Sequence, residues 1–147
     1  SVFSSKTVKN WRKCVIIKTM NTEEMVDYWK KSAEEDLITA ESMFQTKRYL
    51  PCLFYSHLFI EKIIKAIVVK NTQEPAPYGH KLRRLSELAG LKTDKKQLVL
   101  LDDLTAFNIN ARYEDYKFSL YKKATEEYTL KYLNEARELY QWLMIQL

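Results

Sequence analysis

Glycine occurs twice and proline three times in 147 residues, and all five lie between Pro51 and Gly90. Hairpins and barrels need turn-forming residues at short intervals, so a chain punctuated this sparsely is built from a few long helices. Hydrophobic residues make up 46% of the chain, enough at this length for one ordinary core and too little for two. No sustained heptad and no repeat of 20 to 50 residues argues for a coiled coil or solenoid. The expected class is all-α, an antiparallel up-and-down helical bundle of about five helices.

The hydrophobic pattern places those helices. Val26, Trp29, Ala33, Leu37, Ala40 and Phe44 recur at spacings of three and four, which predicts an amphipathic helix from Glu23 to Gln45, with Asn21 as its N-cap and Glu24 three residues on. Lys47-Arg48-Tyr49 breaks it, and Pro51 suits the first turn of a second helix running to about Lys70. Apolar residues from Leu53 to Val69 surround most of this second helix, so it should be the most buried. Asn71 to Gly79 reads as a loop; Leu82, Leu85 and Leu88 mark a short helix that Gly90 can terminate in a left-handed C-cap. Thr93 or Asp94 can cap a helix to about Asn110, residues 111 to 123 read as a loop, and Thr125 opens a last helix running nearly to the C-terminus.

The net charge of +5 is not spread evenly. Residues 1 to 19 hold Lys6, Lys9, Arg12, Lys13 and Lys18 with no acidic residue, which leaves the remaining 128 residues with 19 basic against 19 acidic groups. A phosphate-binding face on the body would have to be local. Met20 precedes the first cap and is expected to be the natural start. Residues 1–19 would then be a basic N-terminal extension that is not native, the rival reading being an arm that touches nucleic acid or a partner, and 20–147 a single helical domain. Cys14-Val15-Ile16-Ile17 could pack on the body as a strand or helical turn. Cys14 and Cys52 give neither a disulfide framework nor metal spacing, and no secretory leader or membrane-length apolar run is visible, so the cytoplasm is the expected compartment.

Several chemistries drop out. Neither His57 nor His80 has a second His or a Cys at metal spacing, and two isolated glycines cannot form a phosphate-cradling loop, so no metal and no cofactor is expected. Asp102 and Asp103 are adjacent on a helix and point to different sides, which suits solvated faces better than acid/base work. Two groups of candidates remain. Arg112, Tyr113, Asp115 and Tyr116 stand where the helical pattern breaks before the last helix; a planar cation suits phosphate or carboxylate, and tyrosines can stack or hydrogen-bond. The plain alternative pairs Arg112 with Glu114 or Asp115 to pin one helix to the next. The second group, His57, Glu61 and Lys65 on the buried helix with His80 after the loop, is a polar strip whose burial must be compensated. Glu61 and Lys65 have ion-pair spacing, His57 with Glu61 reads as a core pair, and His80 as a helix-start or loop-packing residue.

From residue 23 to 147 the order of features resembles the HEPN domain family. The signals are Trp29 with Ala33-x-x-Asp36-Leu37-x-x-Ala40; Tyr49-x-x-Cys52-x-x-x-Ser56-x-x-x-x-Glu61-Lys62-x-x-Lys65-Ala66; Gly79-His80-x-Leu82-x-x-Leu85; and Ala111-Arg112-Tyr113-x-Asp115-Tyr116. The resemblance implies a helical bundle that dimerises and is often encoded beside a minimal nucleotidyltransferase, as a toxin–antitoxin pair or a two-subunit enzyme. Many such proteins are metal-independent ribonucleases whose signature is an Arg followed, after four to six residues, by a His. Here the corresponding positions after Arg112 are Lys117, Phe118 and Ser119, and neither histidine stands at that distance after any arginine. The resemblance together with this departure points to a non-catalytic or degenerate subunit with a nucleotide- or RNA-phosphate-binding surface around Arg112. One alternative is a ribonuclease with a different set, Arg112 as clamp and Tyr113, Tyr116 or Lys117 assisting proton transfer. The other is a purely structural interaction module.

Overall fold

The computed structural model describes residues 20–147; the basic extension and the Cys14–Ile17 run lie outside the described residues. Six helices follow one another: α1 (Thr22–Gln45), α2 (Tyr49–Thr72), α3 (Leu82–Leu88), α4 (Lys95–Asn110), α5 (Glu114–Lys123) and α6 (Glu126–Ile145), with no strand among these residues. The all-α expectation holds, with one correction to the element count. Residues 111 to 123 do not form a loop, because α5 occupies most of them. Only Leu120 of α5 is buried, so it has no apolar stripe for a periodicity argument to find. Glu114 and Asp115 in its first turn and Lys122 and Lys123 in its last instead complement the helix dipole.

Local chemistry sets the other boundaries where it was expected to. The Asn21 side chain accepts from the Glu24 N–H at 2.8 Å. Asp94 and Gln97 form a full capping box, and the Thr125 hydroxyl accepts from the Tyr128 N–H. Gly90, at φ +71°, takes the left-handed position just past α3 that a side chain would strain.

α2 is the axis of the bundle and touches all five other helices. Phe59, Ile60, Ile63, Ile64 and Ile67 are fully buried along it, each removing apolar surface worth about 1.5–3 kcal/mol from water. α1 runs antiparallel to α2: Phe44 meets Tyr49 beside the turn, Asp36 pairs with Lys62 at 2.6 Å, and Trp29 lies over Lys65 farther along. At the far end the Lys70 ammonium donates to the carbonyls of Gln146 and Leu147, so α2 and α6 end together. α4 descends beside α6, with Phe107 against Tyr128 and Tyr132. Four long helices thus make the up-and-down frame, and α3 and α5 fill two of its connections.

Adjacent Asp102 and Asp103 do point apart, as helix geometry requires, but neither is simply solvated. Asp102 binds Arg83 at 2.6 Å, and the buried-side Asp103 accepts the Tyr132 hydroxyl at 3.0 Å. Among the described residues no helix is long and apolar enough to cross a membrane.

Candidate functional site

The polar strip of α2 is the most buried charge in the described residues. Glu61 and Lys65 are 4% and 7% exposed, and the Lys65 ammonium donates to Glu61 Oε1 at 2.8 Å while lying 5.2 Å from the Trp29 ring centroid. Burial alone would push the Glu61 carboxyl up; the hydrogen bond and charge of Lys65, with His57 and His80, outweigh it and hold the carboxyl below the usual range. The sequence expectation of an ion pair is met, in a setting where it is compensated charge and not a surface ornament.

The loop after α2 closes over this strip. Gly79, at φ +140°, turns the chain so that His80 Nδ1 comes within 3.1 Å of both Glu61 oxygens. A carboxylate can only accept, so Nδ1 carries the proton. Fully buried His57 donates from Nε2 to the His80 carbonyl at 3.1 Å, which ties the loop back to α2. That leaves His57 Nδ1 without a hydrogen-bond partner, 3.6 Å from Glu61 Oε2; burial holds the ring's pKa below its ordinary value and the ring neutral. The expected His57–Glu61 core pair is therefore a near contact, and the bond His57 makes is to the loop backbone. His80 is more than a helix-start residue: it is the outer member of a Lys65–Glu61–His80 chain.

His80 also faces outward, onto a cleft of about 400 Å³ between α3 and the end of α4. Pro77, Tyr78, Lys81, Arg84, Leu85, Thr105, Asn108 and Arg112 share its lining. Arg112 sits just past α4 and donates from Nε to the Asn108 carbonyl at 3.2 Å, and its charge is felt at His57. Among the described residues no carboxylate lies within salt-bridge distance of Arg112, Lys81 or Arg84, so the proposed pairing of Arg112 with Glu114 or Asp115 is absent. No carboxylate lines the cleft.

The four-residue group around Arg112 is thus divided by the structure. Arg112 joins the second group of candidates. Tyr113 is the exposed residue from which α5 begins, Asp115 lies in the first turn of α5, and Tyr116 turns into a separate cavity of about 310 Å³ with Phe107, Lys123, Tyr128 and Tyr132. Lys81 and Arg84 were not singled out from the sequence. The signal was available: two cations follow Gly79-His80 at a spacing that puts both on the cleft side of a short helix, whereas the adjacent Arg83 is taken by Asp102. A larger groove between α4 and α6, about 440 Å³, carries Asp94, Asp103, Glu135 and Glu138 against only Lys96 and Lys131, the wrong balance for an anion. No group of three potential metal ligands occurs among the described residues.

The comparisons agree with this architecture. The family model described as the HEPN domain matches residues 26–146. The crystal structure of TT1696 from Thermus thermophilus superposes with a TM-score of 0.71 at 18% identity, covering 87% of this chain and 100% of that one, which is a likeness of fold. No curated protein matches by sequence.

Proposed function

Because the chain belongs to the HEPN domain family, we propose that it is a HEPN subunit whose working surface is an anion-binding cleft for the phosphates of a nucleotide or RNA, centred on Arg112. One observation carries this reading: Lys81, Arg84, Arg112 and His80 line one cleft with no carboxylate among its walls. Guanidinium groups recognise phosphate through paired N–H donors, and the exposed ring of Tyr78 at the margin offers a base a stacking surface. A body of balanced charge binds anions only where its cations are left unpaired, and this is such a place.

Homodimerisation and work beside a minimal nucleotidyltransferase complete the proposal. The family resemblance motivates both. Exposed Tyr113, Tyr116, Phe118 and Tyr121 on and beside α5 supply apolar surface of the kind that subunit contacts use.

The test is anisotropy of a labelled single-stranded oligoribonucleotide titrated with wild type and Arg112→Ala. Arg112 is exposed and makes no ion pair among the described residues, so the variant should melt with wild type. It should bind about 10- to 100-fold more weakly, the cost of losing one or two charge-assisted hydrogen bonds. Equal affinities would remove the cleft from consideration. A fall in melting temperature with unchanged affinity per folded molecule would favour the purely structural module.

A further inference from the structure

The groove of about 440 Å³ between α4 and α6 has an apolar floor and an acidic rim. Leu100, Leu139 and half-buried Trp142 form the floor with Val99, which is left 53% exposed. Asp94, Asp103, Glu135 and Glu138 stand along it, and none of the four is in an ion pair among the described residues. Of its two lysines, Lys131 lies 5.1 Å from the Tyr132 ring centroid, and Lys96 alone cannot balance four carboxylates. The groove shares no lining residue with the phosphate cleft. Apolar surface rimmed by charge of one sign suits a covering segment that is apolar at its centre and carries the opposite charge at its ends.

We propose that this groove is the docking site for residues 13 to 18 of the same chain, Lys13-Cys14-Val15-Ile16-Ile17-Lys18. The segment has the required pattern: a thiol and three aliphatic side chains between two lysines, with Arg12 just before them and no carboxylate anywhere in residues 1 to 19. Its length also fits. Asp94 and Asp103, nine residues apart at the cap and in the body of α4, are separated by roughly 14 Å along the helix axis. Lys13 and Lys18, taken extended, are roughly 17 Å apart, so a lysine can reach a carboxylate at each end while the aliphatic residues cover Val99 and Trp142. The proposal gives the segment a place in the domain, and so replaces the expectation that residues 1–19 are an extension foreign to it.

Chain continuity brings the segment to the groove. α1 runs antiparallel to α2, and α2 and α6 end together, so Asn21 lies at the end of the bundle where α6 finishes. α4 is antiparallel to α6, which puts Asp94 and Trp142 at that same end. α6 touches both α1 and α4. Lys18 to Asn21 can stretch roughly 10 Å, about the width of the one helix to be crossed. Seated there, the lysines of the segment meet carboxylates and add nothing to the cations of the cleft.

The experiment uses the full chain and its own Cys14. Cys52 is buried, with its thiol pushed up to about 11, which keeps it out of exchange. Val99→Cys places a second thiol in the groove, whereas Ile145→Cys places one outside it, at an exposed position near the same end of the bundle and within reach of an undocked segment. Both substitutions are at exposed side chains, and matched thermal melts confirm that the variants are folded. Each protein is treated with glutathione disulfide, and the bonds made by Cys14 are mapped by peptide mass spectrometry. Val99→Cys should join Cys14 to position 99 within one chain about 10-fold or more faster than Ile145→Cys joins it to position 145, the gain in effective concentration that docking supplies. Adding Glu135→Lys and Glu138→Lys at the rim should bring the first rate down to the second. Equal rates at the two positions, or a rate at position 99 that ignores the charge reversal, overturn the proposal. A bond at position 99 that joins two chains also overturns it, by showing that a second copy supplies the occupant. Each of these outcomes leaves the phosphate-binding reading standing, because the cleft and the groove have no residue in common.

Discussion

Replacing Lys65 by Met isolates what the buried charge pair does. Lys65 and Glu61 are almost completely inaccessible and 2.8 Å apart, so the substitution strands a carboxylate in the interior with only the His80 N–H to satisfy it. Removing one partner of such a pair costs about 3–5 kcal/mol, and the surviving His80 bond places the expectation near 3. For a chain of this size that is a fall in melting temperature of roughly 10 °C. The double variant Lys65→Met/Glu61→Gln carries no stranded charge and should recover about 2 kcal/mol of the loss, a coupling that urea denaturation at matched m-values can resolve. Acid sharpens the comparison. In wild type the Glu61 carboxyl lies below its ordinary value, so its contribution is present above about pH 4.3 and lost as pH falls through the folded-state pKa. Without Lys65, burial is opposed only by His57 and His80 and the carboxyl pKa rises relative to wild type, so the two stability curves should converge on acidification. A single-variant loss under about 1 kcal/mol, or strictly additive single changes, would refute the claim that Lys65 compensates a desolvated charge.

Two other outcomes follow from described contacts. His57 is held neutral by burial, so its lowered pKa costs stability as pH falls below about 6.5, before Glu61 titrates; His57→Gln, which can still donate to the His80 carbonyl, should flatten the melting temperature between pH 7.5 and 5. Asp94→Ala removes the capping box of α4 and should cost about 1 kcal/mol in urea, while leaving oligoribonucleotide affinity unchanged because Asp94 is remote from the cleft.

What could be read from the sequence was whatever the chain specifies locally. Asn21, Asp94 and Thr125 cap the helices they precede because each supplies an acceptor to an N–H three residues on, and the apolar spacing of α1 and α6 announces the face they bury. α5 escaped because Leu120 is its only buried residue, and the charges that hold its ends look like an ordinary polar loop. The site was legible in pieces. Arg112 and His80 were both visible as candidates, but they are 32 positions apart and meet only because α3 and α4 lean on the same helix. Neighbours in sequence misled in the opposite sense: Tyr113 and Tyr116 follow Arg112 closely, yet entry into α5 carries them away from the cleft.

The residues of the candidate site hang on two kinds of support, and this divides what a relative's sequence can reveal. Glu61 and Lys65 belong to the helix that every other helix packs against, so a lineage that abandoned the cleft would still be constrained to keep the pair, or to exchange both members together. Lys81, Arg84 and Arg112 stand on the surface with no ion-pair partner among the described residues, and a lineage could discard them with little loss of fold. Retention of the buried pair in a distant relative therefore testifies to shared architecture, whereas joint retention of the three cations would testify to a shared ligand.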